Sequence, residues 1–248
     1  MSSITAVTTK KSSSKTVADW PSHFGQMGSS YEKRAFTGSA LSAQAANELD
    51  VVLSSLGRGD GRKVLDIGAG TGRFTVALIA AGWNVTSFDG STEMLECIAE
   101  RAPQATLVLG RLGEPLPFEA GSFAAVVAMR VVKYVPQTAD ALTEMVRVVE
   151  PQGCVVFDVA NQHSFARFGY ADSPMGFVTP KSLRQTADQV GLVIDDTQDG
   201  FRLPHAIVGR SQSAAAGQCV NVVERGLARV MGRERGARSI IVRAHSRS

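Results

Sequence analysis

The sequence predicts an α/β protein with a doubly wound, mostly parallel sheet, and three observations carry that prediction. Lys63-Val64-Leu65-Asp66-Ile67-Gly68-Ala69-Gly70-Thr71-Gly72 is an apolar strand that runs into alternate glycines, and helical spacing resumes at Phe74, Leu78 and Ile79. A backbone of that composition turns sharply and lies close against a ligand. The next apolar run, Asn84 to Phe88, ends in Asp89, seventeen positions after Gly72. An acid at that strand tip accepts the two hydroxyls of a ribose. Beyond it, strand-length apolar runs and helix-period segments keep alternating, which is the pattern of a parallel sheet covered by helices.

Residues 1–18 are Ser, Thr and Lys without periodicity and are expected to form a disordered tail. Lys10, Lys11 and Lys15 precede no apolar segment, so no secretory signal is expected. Residues 19–60 read as an N-terminal lid and a helix. Trp20, Phe24, Tyr31 and Phe36 supply the lid, and Leu41, Ala45, Leu49, Val52 and Leu56 recur at helical spacing up to Gly57. Residues 61–248 form the core.

Within that core, Ser91 caps a helix to Arg101 with Met94, Leu95 and Ile98 facing inward, and Pro103 closes it. Thr106 to Leu109 is the third strand, and Phe123 to Met129 follows the Pro115 and Pro117 loop as the fourth. Thr138 opens a helix through Leu142, Met145 and Val149, and Cys154 to Val159 is the fifth strand. Phe168 to Pro180, rich in Gly, Pro and aromatics, reads as a loop over a pocket. Thr179-Pro180 starts a helix that ends at Gly191, and Leu192 to Ile194 begins the sixth strand. An insertion of about 202–236 precedes the last strand, Ser239 to Val242. It holds a small-residue linker, Gln212 to Gly217, and an amphipathic helix marked by Val220, Val223, Leu227 and Val230.

Four ordered motifs resemble the class I methyltransferases that use S-adenosylmethionine, in the small-molecule and lipid-precursor branch related to ubiquinone-biosynthesis enzymes. They are Val64 to Gly72; Phe88-Asp89-Gly90-Ser91-Thr92-Glu93-Met94-Leu95; Leu116-Pro117-Phe118 with Gly121-Ser122-Phe123; and Val131-Val132-Lys133-Tyr134-Val135. The resemblance runs from about Tyr31 to Val242. It implies a Rossmann-like, seven-stranded sheet and S-adenosyl-L-methionine as cofactor. It places Tyr31 and Arg34 of the lid, Asp66, Gly68, Ala69, Gly70 and Gly72 of the first turn, and Asp89, Gly90 and Met94 of the second around that cofactor. Arg111 stands where many relatives carry an adenine-binding acid, so backbone near Arg111 and Leu112 is the expected substitute, with Met129 nearby. Ala124 also replaces an acid common in relatives.

Methyl transfer from a sulfonium needs alignment, water exclusion and, for a hydroxyl acceptor, removal of a proton. No fixed triad is therefore expected. Ligands of open α/β sheets collect beyond the carboxyl ends of the strands, which makes Arg130 and Tyr134 the substrate-side candidates, with Lys133 beside them. His163, in the polar loop after the fifth strand, and His205, in the insertion, compete for the role of general base. The favoured reaction is O-methylation of a small-molecule or lipid-like metabolite.

Composition supports this reading and limits the others. With 44% apolar residues in 248 the chain has enough for a sizeable core. From His205 onward eight arginines face two glutamates, leaving a slightly acidic remainder. That basic end motivates an RNA methyltransferase as the alternative, but the net charge is only +3 and no appended RNA-binding module is recognisable. Gly68-x-Gly70-x-Gly72 lacks the Gly-x-Gly-x-x-Gly spacing of a nicotinamide site. A non-catalytic protein that binds S-adenosylmethionine is the remaining alternative. Cys97, Cys154 and Cys219 form no metal or disulfide pattern, no run spans a bilayer, and a cytoplasmic monomer or homodimer is expected.

Overall fold

The computed structural model describes residues 5–6, 22, 25–26, 39–135, 137–164, 175–200, 214–231 and 236–247. In chain order these give β1 (Thr5–Ala6), α1 (Ser39–Leu56), β2 (Lys63–Ile67), α2 (Arg73–Ala80), β3 (Asn84–Asp89), α3 (Thr92–Arg101), β4 (Thr106–Leu109) and β5 (Phe123–Ala128). A 3-10 turn at Val132–Tyr134 is followed by α4 (Thr138–Val148), β6 (Val149–Asn161), β7 (Phe177–Val178), α5 (Pro180–Gln189), β8 (Leu192–Asp199), α6 (Ala214–Met231) and β9 (Ser239–Ser246).

All the strands join one sheet in the order β1-β4-β3-β2-β5-β6-β9-β8, with β7 beside β6. β2 to β6 pair in parallel, and β9 enters antiparallel between β6 and β8. The chain steps outward from β2 through β3 to β4, then returns to the other side of β2 as β5. That reversal opens a crevice above the carboxyl ends of β2 and β5, where such sheets bind ligands.

Both faces of the sheet are covered, which is why its strands read as unbroken apolar runs such as Ala125 to Ala128 or Val155 to Phe157. α1 and α2 pack one face through Val52, Phe74 and Leu78 against Val85, Val127 and Ile241. The other face buries Leu65, Ile67 and Phe157 under Leu142 and Met145 of α4 and Leu183 of α5. Truncating a side chain as enclosed as Phe157 to alanine costs about 3–5 kcal/mol. Ser91 caps α3 as expected, its hydroxyl accepting the Met94 N–H at 3.2 Å. Thr179 and Ser182 form a reciprocal capping box ahead of Pro180 in α5.

Seven strands of four residues or more make up the expected sheet, and β1 and β7 add two residues each. Thr5 and Ala6, within the tail expected to be disordered, pair with Val108 and Leu109. β7 arises in the loop expected over the pocket and pairs with Ala160 and Asn161. Three strands also outrun their apolar patterns. β6 begins at Val149, because that residue pairs with Phe123 and a bulge absorbs the turn-like Pro151-Gln152-Gly153. β8 continues through Asp195-Asp196-Thr197-Gln198-Asp199, a polar stretch at the sheet edge whose extent is set by pairing with β9 rather than by burial. β9 runs on to Ser246 for the same reason. Ala214 to Gly217, expected in a linker, instead opens α6, since alanine is the strongest helix former. α6 packs against α1.

Candidate functional site

The turn after β2 is made almost entirely by backbone. Gly68, Gly70 and Gly72 all have positive φ, at 66°, 56° and 85°, which a residue with a side chain adopts only under strain. Their surroundings separate their duties. A Cβ on Gly68 would meet Val131 at 2.6 Å, and one on Gly72 would meet Ile98 at 2.9 Å, so these two permit packing. A Cβ on Gly70 meets nothing nearer than the Gly68 carbonyl at 4.0 Å. The missing side chain of Gly70 therefore leaves open space above the turn, as close approach of a ligand requires. Ala69 packs under α3, and the Thr71 carbonyl accepts Arg101 Nη1 at 2.8 Å, fixing the turn from below.

Asp89 lies beside that space at the tip of β3. Its Oδ2 accepts the Gly70 N–H at 2.8 Å, and its Oδ1 accepts the Ser91 N–H at 2.9 Å. Burial pushes its pKa up and these donors oppose the shift without cancelling it. Each oxygen keeps acceptor capacity for a ribose hydroxyl. The turn and Asp89 are thus one hydrogen-bonded unit, and S-adenosylmethionine fits it: the open face of Gly70 would take the amino-acid and sulfonium portion, and Asp89 the ribose.

The other residues expected around the cofactor divide by position. Asp66 is wholly buried, and its Oδ2 accepts the Thr75 hydroxyl at 2.7 Å, with Ser87 2.9 Å beyond. Burial, with a smaller contribution from the Asp89 charge, pushes it up to about 7. This bond joins the end of β2 to α2, a supporting role beneath the turn. Met94 is buried, and Met129 packs into the core beside Val127, so near Met129 the backbone is the part free for a ligand. Arg111 is exposed and Leu112 packs partly on the core.

A second concavity, a cavity of about 120 Å³, opens past the end of β5. Arg130, Lys133 and Tyr134 line it, joined by Gln44 and Glu48 of α1, Asp158 of β6, and Arg238. Glu48 binds the Arg130 guanidinium through Nη2 at 2.8 Å and Nε at 3.1 Å, and takes Arg73 Nη2 at 2.8 Å. Burial pushes Glu48 up, but Arg130 and then Arg73 outweigh it and hold the carboxyl below its ordinary range. Asp158 accepts the Arg130 N–H, which helps hold Arg130 at its positive φ of 62°. Burial pushes Asp158 up, against the pull of Lys133. The two concavities adjoin, because Gly68 abuts Val131, between Arg130 and the 3-10 turn that carries Lys133 and Tyr134.

Sequence reasoning missed Gln44, Glu48, Asp158 and Arg238. Gln44 and Glu48 lie four apart on a helix face that otherwise reads as polar surface, and only the fold turns them onto the crevice. His163 is exposed on a turn and does not line the cavity. Its N–H donates to Asn161 Oδ1 at 3.0 Å. Tyr31, Arg34 and His205 lie outside the described residues.

A glycine turn bonded to a strand-end acid at the switch point of such a sheet defines a nucleoside-binding α/β protein. Comparison with known proteins narrows the class. Residues 65–157 match the family model described as a methyltransferase domain. A demethylmenaquinone methyltransferase of Beutenbergia cavernae is 32% identical over 168 residues, which cover 60% of this chain and 70% of that protein. An uncharacterized methyltransferase of Mycobacterium tuberculosis is 37% identical over 92 residues, and the match spans only 37% of either chain. A solved structure from Thermotoga maritima, described as a possible histamine N-methyltransferase, shares the fold with a TM-score of 0.64 at 18% identity, covering 91% of this chain and 98% of that one. The chain belongs to the class I S-adenosylmethionine-dependent methyltransferases. Among the described residues no helix is long and apolar enough to cross a membrane.

Proposed function

We propose that the protein transfers the methyl group of S-adenosylmethionine to an oxygen of a small-molecule or lipid-like acceptor whose polar end reaches the charged cavity. One observation carries this reading: the turn that holds the cofactor and the loop that lines the cavity touch, at Gly68 and Val131. The demethylmenaquinone methyltransferase relative supports a small, lipid-like acceptor. The cofactor supplies an activated methyl on a sulfonium whose departure leaves a neutral thioether. What remains for the chain is to position, to exclude water and to manage one proton. Gly70 and Asp89 fix the cofactor. The Glu48, Arg130 and Arg73 cluster fixes the cavity wall. Asp158, a buried carboxylate with a raised pKa, takes the place expected for His163 as the group that accepts a hydroxyl proton.

Calorimetric titration with S-adenosylmethionine, S-adenosylhomocysteine and NADH tests the cofactor half of this reading. Both sulfur compounds are expected to bind in the micromolar range and NADH not at all. Asp89→Ala should weaken S-adenosylhomocysteine by about 1–3 kcal/mol through loss of hydrogen bonds to a charged group. Binding of NADH alone would overturn the cofactor assignment, and unchanged affinity in the variant would remove Asp89 from the site.

A further inference from the structure

Among the described residues that line the cavity, Arg130, Lys133 and Arg238 are cationic and Glu48 and Asp158 are acidic. Glu48 has no capacity to spare. Its Oε2 takes Arg73, and its Oε1 takes both Arg130 and the Gln44 amide, the latter at 3.1 Å. Asp158 accepts the Arg130 N–H with one oxygen. Lys133 lies with its ammonium 5.2 Å from the centre of the Tyr134 ring, and among the described residues no carboxylate comes within ion-pairing distance of it. A half-buried ammonium at the wall of the cavity favours a ligand that brings a counter-charge. Burial accordingly pulls Lys133 below its ordinary range, with Asp158 the main influence against it.

Gln44 provides an independent observation. The side chain is 7% exposed and also lines the cavity. Because its amide nitrogen donates to Glu48, the opposite atom is fixed as Oε1, and that oxygen is buried without a hydrogen-bond partner. A buried acceptor left in this way favours a ligand that brings a donor.

We propose that the cavity is a subsite for a small carboxylate that also carries a hydroxyl or amine. The carboxylate rests against Lys133 and Arg238, and the hydroxyl or amine donates to Gln44 Oε1. A volume of about 120 Å³ equals about four waters, room for a carboxylate and a few further heavy atoms. A ligand that is also the methyl acceptor, which rests on the function proposed above, presents a second hydroxyl to Asp158; binding in the cavity needs only the first.

The test uses glycolate, acetate and glycolamide as probes, followed by amide NMR shifts of the full chain. Glycolate should give saturable shifts around Lys133, Ser164 and Ser239. Glycolamide, which lacks the charge, should bind about tenfold more weakly, the scale of one charge-assisted hydrogen bond. Lys133→Met should lose a similar factor for glycolate while Lys133→Arg retains it. Gln44→Leu should bring glycolate down to the level of acetate. Equal binding of glycolate and glycolamide by the native chain, or no saturable shift with glycolate, would overturn the proposal, and neither result depends on a variant folding. S-adenosylhomocysteine is titrated into the same samples. Loss of its binding with glycolate binding intact would count against methyl transfer alone, and the reverse against the carboxylate subsite alone.

Discussion

The two halves of the crevice are built in opposite ways. The half proposed to hold the cofactor spans Gly68 to Ser91, a short stretch of chain, and offers backbone N–H groups, a bare glycine face and one carboxylate. The acceptor half draws side chains from α1, the loop after β5, β6 and the start of β9, with Arg130 and Glu48 separated by 82 positions. A backbone site depends on local geometry and serves a shared cofactor. A side-chain site depends on packing at a distance, and can be altered residue by residue without disturbing the turn that binds the cofactor.

The largest effect should come from the acceptor half. Glu48→Gln leaves Arg73 and Arg130, both largely buried, without their carboxylate. It is expected to lower the unfolding free energy by about 3–5 kcal/mol in urea titrations at neutral pH. The folded-state pKa of Glu48 is depressed, so the stability it contributes is present above its unfolded value and is lost as pH falls through the folded one. The gap between native and variant should therefore close in acid. A gap that persists unchanged at low pH would show that the charge of Glu48 is not what holds the cluster.

In the cofactor half, Gly70→Val should reduce S-adenosylhomocysteine affinity by about 100-fold, because a branched side chain fills the open face and strains a φ of 56°. Gly61→Ala is the matched control. Its φ is 79° and nothing lies within 4 Å of the added carbon, so strain is introduced away from the turn. The control should lose stability of about 1 kcal/mol with affinity intact. Equal loss of affinity in both would assign the effect to backbone strain and not to the ligand space.

A third effect, spread over pH, concerns Asp66, whose folded pKa of about 7 is raised above its unfolded value. A group of this kind contributes stability that is fully present below about pH 4 and is lost as pH rises through about 7. The cofactor-free protein should accordingly lose stability between about pH 4 and about pH 7 and level off above that, and Asp66→Asn should flatten that slope. Thermal unfolding at those two pH values checks it. A slope as steep in the variant would transfer the titration to another buried group.

Much of the sheet was legible because its strands are buried on both faces, and its first turn because three alternate glycines have few other uses. The exceptions follow one rule. β8 and the end of β9 are held by backbone pairing, and β6 passes through a bulge, none of which leaves an apolar signature in Asp195 to Asp199 or Pro151 to Gly153. Among site residues, Arg130 and Tyr134 were found by their place after a strand. Glu48 and Asp158 were not, since a glutamate on an amphipathic helix and an aspartate within a strand carry no local mark of the partner they will meet.

The sequence by itself determined the fold class, the cofactor turn and the acid that accompanies it, because all three are written in short-range patterns of apolarity, glycine and strand-end charge. The tertiary structure decided which charges share the acceptor cavity, that Asp66 supports α2 from beneath the turn, and that His163 stands outside the cavity. Those outcomes depend on distances between segments far apart in the chain, and such distances are fixed only when the helices settle on the sheet.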